Sequence, residues 1–410
     1  MKNPLMKRLP RELWQDKGKY IALFLFLTVT IGFVSGFLVA DNSMKTAYDE
    51  SFAKYDVEDG HFALAVPADD ALTDKLEAED IAVYELYYKD ITLDNEDVVR
   101  VYKNRTEVNR ACLMEGSKPE ADNEIAIDRL YAENNEISVG DSMKVDGKSF
   151  TVSGFVALSD YSTMFKNNTD MMFNASRFTI AVVSDGAFDS MSESGLKYCY
   201  AWQNADKTLS DTEAADKADD IKDVLKETGL LTDFVKQSDN QAITFTGEDM
   251  GGDRTMIMVL LYVVMAVLAF VFGVTTKSTI EQEASAIGTL RASGYTKGEL
   301  LRHYLALPTL ITLVAALLGN ILGYTCMKGI VSGMYYHSYS LPTYTTLWNA
   351  DAFLETTVVP VLIILLVNVM MLSRLLSFAP LNFLRHDLSG KKKKKVAKLP
   401  NWKFLTRFRI

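Results

Sequence analysis

Four apolar stretches, carrying a single charge between them at Glu355, constrain this chain more than any other feature. They cover 21–40, 256–276, 304–327 and 353–373. Each has about 20 residues or more, enough at about 1.5 Å rise per residue to cross a hydrocarbon layer of about 30 Å. Four in one chain argue against buried helices of a soluble protein and for an integral membrane protein. The first is too long for the apolar core of a cleavable secretory signal, and Leu38-Val39-Ala40 puts a bulky residue where cleavage needs a small one. It reads as a retained span.

Charge orients the spans. Residues 41–255 hold 45 acidic and 21 basic side chains, whereas the rest of the chain holds 8 and 22. Basic residues in short flanks stay on the cytoplasmic side. Lys2, Lys7, Arg8, Arg11, Lys17 and Lys19 precede the first span; Lys277, Arg291, Lys297 and Arg302 lie between the second and third. Eleven more follow from Arg374, including Lys391–Lys395, while 329–352 has no Lys or Arg. The expected layout is a cytoplasmic amphipathic lead-in (1–20) and an extracytoplasmic domain (41–255) inserted between spans one and two. A cytoplasmic segment (277–303), a short outer loop (328–352) and a basic cytoplasmic tail (374–410) complete it. Both termini are then cytoplasmic.

The inserted domain reads as α+β. Strands are expected at 62–66, 81–88, 98–102 and 178–183, with an amphipathic helix over 205–228 that presents Ile221, Val224 and Leu225 on one face. Met143/Val145 and Phe150/Val152 alternate with polar residues around Asp146-Gly147, a hairpin signal. The whole chain is therefore expected to be an α-helical membrane protein with four transmembrane helices and a large α+β extracytoplasmic domain, joined to spans one and two by helices.

Enzyme chemistry finds no support. No nucleophile elbow, zinc-binding helix motif, phosphate loop or paired-cysteine metal pattern occurs, and His61, His303, His337 and His386 are scattered. Acid clusters at Asp56/Glu58/Asp59 and Asp219/Asp220 lack calcium-loop spacing and read as solvated faces. Cys112 and Cys199 are either a disulfide or two free thiols, and Cys326 is a packing residue. Nothing points to nucleic acid, to a metal or to a cofactor.

The segment from Lys277 to Arg302 reads as helix, turn, helix. Gly294 supplies a left-handed residue at the end of the first helix; Thr296, with Glu299 three residues on, caps the second. Ile287, Leu290 and Ala292 alternate with polar residues, giving an exposed surface that either seats a soluble partner or merely connects two spans. Within the spans, Gly319 and Gly323 form a small-xxx-small pattern for close helix packing, inside the bundle or at a dimer face. Asn320 and Asn368 are expected in helix–helix hydrogen bonds, and Pro308 and Pro360 to bend their helices.

Glu283-Ala-Ser-Ala-Ile287-Gly288-Thr-Leu290-Arg291-Ala292-Ser-Gly294 resembles the signature E-x-x-x-I-G-x-L-R-A-x-G of FtsX-like (MacB/LolC-type) ABC transporter permeases. Val139-Gly140-Asp141 with Phe150–Gly154 is similar to their extracytoplasmic domain, and Pro380–Arg385 resembles their closing P-x-x-x-L-R. The resemblance implies the membrane subunit of an ABC transporter in a bacterial plasma membrane. A separate cytoplasmic ATPase would dock on Glu281, Glu283, Ile287, Gly288, Leu290, Arg291, Ala292 and Gly294, so that hydrolysis moves the outer domain by mechanotransmission. Export of a peptide, lipid or drug is expected, with control of a cell-wall hydrolase as the alternative. Partners implied are that ATPase, a second permease copy or half, membrane lipid, and an extracytoplasmic protein or substrate. Residues 397–410 look like the lead-in of another span, as in the first half of the long Gram-positive members, or like a basic helix on anionic lipid.

Overall fold

The structure, a computed structural model, describes residues 7–386. Lys391–Lys395 and the segment from Ala397 lie outside the described residues. In chain order the first elements are α1 (Leu9–Gln15), α2 (Lys17–Lys54), β1 (Gly60–Leu64), α3 (Asp70–Glu77), β2 (Ile81–Glu85), β3 (Tyr88–Thr92), β4 (Val98–Lys103), β5 (Cys112–Gly116) and β6 (Glu124–Asp128). Next come α4 (Arg129–Asn134), β7 (Ser142–Val145), β8 (Lys148–Ala157), β9 (Phe178–Val183), α5 (Asp185–Asp189), β10 (Leu196–Asn204), α6 (Asp211–Glu227) and β11 (Leu231–Lys236). The remaining helices are α7 (Gln241–Gln282), α8 (Ala284–Ala292), α9 (Lys297–Leu322), α10 (Lys328–Ser338), α11 (Ala350–Phe353), α12 (Val359–Leu375) and α13 (Pro380–Leu384). π-helical turns at Gly323–Met327 and Leu354–Val358 fuse α9 to α10 and α11 to α12.

Among the described residues, four helices are long and apolar enough to cross a membrane: Lys17–Lys54, Gln241–Gln282, Lys297–Ser338 and Ala350–Leu375. At about 1.5 Å per residue the 42 residues of α7 extend about 60 Å, twice a hydrocarbon layer of about 30 Å. Along α7, Val259, Val263, Val267 and Phe270 each leave more than half their surface exposed. Such an apolar stripe belongs in lipid, where no hydrophobic penalty attaches to it.

The described chain divides into two units. One contains residues 7–28, 262–317 and 357–386; the other contains 29–261 and 318–356. Both α2 and α7 contribute residues to each.

In the second unit, the strands form one sheet in the order β11-β1-β10-β3-β4-β9-β6-β8-β5, with β2 also on β10 and β7 on β8. The pairs β4/β9 and β6/β8 are parallel, and the rest antiparallel. Because β9 is buried along its whole length, it reads as a continuous apolar run rather than an alternation. Val99, Val101, Ile125, Ile127, Ala181 and Val183 pack on one face, and Tyr102, Ala126, Phe178, Ile180 and Val182 on the other. Side chains one residue apart thus reach opposite cores, as the pleat demands. A third cluster around Phe62, Trp202, Ile221 and Leu225 packs α3 and α6 onto β1 and β10.

The hairpin at Asp146-Gly147 forms, with both residues at positive φ (50° and 74°), as the twist of a two-residue turn requires. Other expectations need correction. The single strand over 81–88 is two, because the chain steps aside at Leu86 and Tyr87 and sends Leu86 into one core while Tyr87 packs toward another. The helix expected from 205 starts at Asp211, where Ser210 and Glu213 form a reciprocal capping box. Glu58 is not solvated: it is buried, 2.6 Å from His61 Nδ1, and accepts from Asn109 Nδ2 at 2.6 Å. Burial works against its charge, yet His61 and Asn109 hold the carboxyl below its usual range, and Glu58 in turn raises His61. Of the two readings left open for Cys112 and Cys199, the second holds: both are buried free thiols.

Asp128 closes β6. Its carboxylate caps α4 by accepting from Leu130 N–H (2.8 Å) and also accepts from Ser340 Oγ. Arg129 beside it donates Nη2 to the carbonyls of Tyr336 (2.7 Å) and Tyr339 (3.1 Å). Burial pushes the Asp128 carboxyl from 3.8 up to about 6 against these hydrogen bonds. The folded state therefore keeps this proton up to about pH 6, whereas the unfolded chain releases it near 3.8. Stability from this group is present below the unfolded value and falls as pH rises between these two values, by about 2 to 3 kcal/mol. Asp128→Asn is expected to flatten that slope in unfolding measurements between those pH values.

Candidate functional site: the connection between the second and third apolar helices

Helix α7 stops at Gln282 because Glu283 leaves the helical region (φ −91°, ψ 11°). The Glu283 carboxylate accepts Arg8 Nη2 on one oxygen and Tyr304 Oη on the other, both at 2.7 Å. A second tie of this kind joins His303 Nε2 to Glu12 at 3.0 Å. One carboxylate thus pins the chain before α1, the break after α7 and the α9 helix together.

Helix α8 then runs nine residues. Gly294 takes φ +107°, and Tyr295 N–H returns to Leu290 O at 3.1 Å, closing the helix through a left-handed residue. Thr296 and Glu299 cap α9 reciprocally: Glu299 accepts from Thr296 N–H (2.8 Å) and Oγ1 (2.9 Å), and Glu299 N–H donates back to Oγ1 (3.2 Å). The backbone and hydroxyl donors of Thr296 hold the Glu299 carboxyl below its usual range.

The signature residues divide into two groups. Ile287 is fully buried with Ala284, Ile280, Leu300, Leu372 and Phe383. Gly288 lies under Leu384: a Cβ there would come within 2.8 Å of Leu384 Cγ and 3.2 Å of Leu384 N. Arg291 donates Nη1 to the carbonyls of Leu376 (3.1 Å) and Phe378 (2.5 Å), in the turn between α12 and α13. Leu290 is half-buried beside the same core. Ile287 and Gly288, expected on the surface, are instead spent on the segment Pro380–Leu384. The physical reason is that α13 presents Phe383 and Leu384 to α8, a partner that the local alternation cannot reveal. Still exposed are Glu281, Ala292 and Gly294, and with them Ser285, Thr289 and Ser293, which repeat at helical spacing on one face of α8.

In the other unit, Gly319 and Gly323 meet α2. A Cβ on Gly32 would stand 3.2 Å from Gly319 O, and one on Gly323 would stand 2.8 Å from Gly36 N. Asn320 Oδ1 accepts from Ser35 Oγ (2.8 Å) and Thr356 Oγ1 (2.9 Å), joining three helices. Back in the unit that holds α8, Asn368 Nδ2 reaches Ala269 O at 3.4 Å. Gly32-x-x-x-Gly36, the half of this contact on α2, escaped the sequence reading although its spacing is the same.

Residues 258–380 match the model of the FtsX-like permease C-terminal family. The matched range runs from α7 to the first residue of α13, so it contains the whole connection just described. None of the curated proteins compared with the chain matches it. FtsX-like permeases are membrane subunits of ABC-type transporters, which act with an ATPase.

Proposed function

We propose that the chain is the permease subunit of an FtsX/MacB-type ABC transporter in a bacterial plasma membrane. It has four spans, and both termini and residues 277–303 are cytoplasmic. A separate ATPase subunit docks on that segment, and its hydrolysis cycle moves the extracytoplasmic domain 41–255 to export a peptide, lipid or drug. The chain itself supplies no catalytic group; a second permease copy or half completes the complex.

The observation that carries this reading is the exposed face of α8 within the family-matched segment. Ser285, Thr289, Ala292 and Ser293 are small and outward-facing, on a helix whose other side is locked to α13. Small residues let a partner's side chains approach the helix backbone closely. The basic flanks support the cytoplasmic placement. Docking therefore belongs to Glu281, Ala292, Gly294 and their exposed neighbours. Glu283, Ile287, Gly288, Leu290 and Arg291 hold that face in shape and carry force to α12 and α13.

Ala292→Arg tests the docking face, since an exposed position tolerates the change. Copurification of the ATPase subunit with the full-length chain is expected to fall at least about tenfold, a loss of about 1.4 kcal/mol, with thermal stability unchanged. Undiminished copurification together with undiminished stimulation of hydrolysis would sink the assignment.

A further inference from the structure

Leu13 on α1 and Lys17, Ile21 and Phe24 on α2 follow one another at spacings of three or four and line one groove. Leu310 and Val314, one turn apart on α9, stand on its other side, and the space between measures about 490 Å³. Among the described residues that line it, Lys17 alone is charged; the rest are aliphatic or aromatic. Ile21 and Leu310 leave more than half their surface exposed, and Leu13 and Val314 more than a third, so the walls are open to whatever surrounds the helices. A groove between helices in a bilayer is not left empty, because its lining would forfeit dispersion contacts that packing otherwise supplies. Its occupant is therefore apolar along most of its length.

Charge says what that occupant carries at its polar end. Lys17 lies one turn before Ile21, where the uncharged run begins. Its exposed ammonium stands over the ring of Trp14, 4.8 Å from the centroid, and Trp14 is itself 74% exposed. The neighbouring acids are already met. Asp16 pairs with Lys19 at 2.9 Å. Glu12 lies 3.0 Å from His303 and 3.6 Å from Arg8, which also reaches Glu283. Among the described residues no carboxylate stands within ion-pair distance of Lys7, Arg11 or Lys17. Residues 7–20 hold five basic side chains against two acidic ones. An anionic headgroup is complementary to this end of the groove, whereas a zwitterionic one brings its own ammonium against Lys17 and gains less.

We infer that the groove holds one acyl chain of an anionic phospholipid, with its phosphate beside Lys17. The inference rests on the membrane placement proposed above, and on neither transport nor ATPase docking. The full-length protein in mild detergent tests it by native mass spectrometry, titrated with phosphatidylglycerol and with phosphatidylcholine of identical palmitoyl and oleoyl chains. The first phosphatidylglycerol is expected to bind at least about fivefold tighter than the first phosphatidylcholine, the contribution of one cation beside an anionic headgroup. Lys17→Gln should remove that preference, whereas Arg11→Gln, off the groove, should leave it within about twofold. Val314→Trp fills the groove from an exposed wall and should abolish the first adduct of both lipids with thermal stability unchanged. Equal affinity for the two lipids, a preference that survives Lys17→Gln, equal losses in Lys17→Gln and Arg11→Gln, or an undiminished first adduct in Val314→Trp would each overturn the inference. A dimer that dissociates in Val314→Trp while lipid stays bound would give the groove to a second copy of the chain instead. Recovery of the protein in the soluble fraction without detergent would sink the membrane placement itself.

Discussion

Gly36→Val is expected to lower stability by roughly 4 kcal/mol, above the usual 1–3 for an overpacked site, and to abolish accumulation of folded protein in the membrane. A Cβ at this position would lie 2.5 Å from Met327 Cβ and 2.8 Å from Lys328 N. The second obstacle is backbone, held in the helix formed by the π turn and α10, and cannot swing aside as a side chain tip does. Relief requires α2 to move off, which also pulls Ser35 from Asn320. In lipid the close fit is most of what holds two apolar helices together, since the surrounding chains are as apolar as the side chains. Thermal unfolding in detergent reads the loss. Gly329→Ala, where a Cβ meets nothing within 4 Å, should be neutral or slightly stabilising because alanine favours the helix.

That contact also marks what is legible in a sequence. The period of apolar residues and the balance of charge disclose where long helices lie, and Asp146-Gly147, Gly294 and the Thr296/Glu299 pair disclose how chain segments end, because each is a local chemical requirement. Both halves of the α2–α9 contact are written as small residues four apart, yet a spacing names no partner, and Gly36 meets Met327 only through the fold. Ile287 illustrates the converse. Its alternation with polar neighbours suggested a surface, while its burial depends on Phe383, almost a hundred residues later. Arg291 could be recognised as part of a signature, but that its partners are two backbone carbonyls of its own chain is a tertiary fact. In the sheet domain, strands such as β6 and β10 carry mixed polar and apolar residues, since their neighbours on both sides supply the burial.

Arg291→Ala should separate docking from coupling. The guanidinium donates to the carbonyls of Leu376 and Phe378, which no helix partner serves at the end of α12. Hydrogen bonds from a charged donor contribute about 1.5 to 3 kcal/mol each, so the turn between α12 and α13 loses roughly 3 to 5 kcal/mol of local restraint. Helix α13 then comes loose from Gly288, and a push on α8 is absorbed there instead of reaching α12. The exposed residues Ser285, Thr289 and Ala292 are not themselves altered. The ATPase subunit is therefore expected to copurify within about twofold of the wild-type amount, under 0.5 kcal/mol in binding, while its stimulation by the permease disappears. Arg291→Lys, which keeps one charged donor, should restore part of that stimulation. If Arg291→Ala instead releases the ATPase outright, the side chain belongs to the docking surface, and the division of α8 into an outer face that binds and an inner face that transmits is wrong.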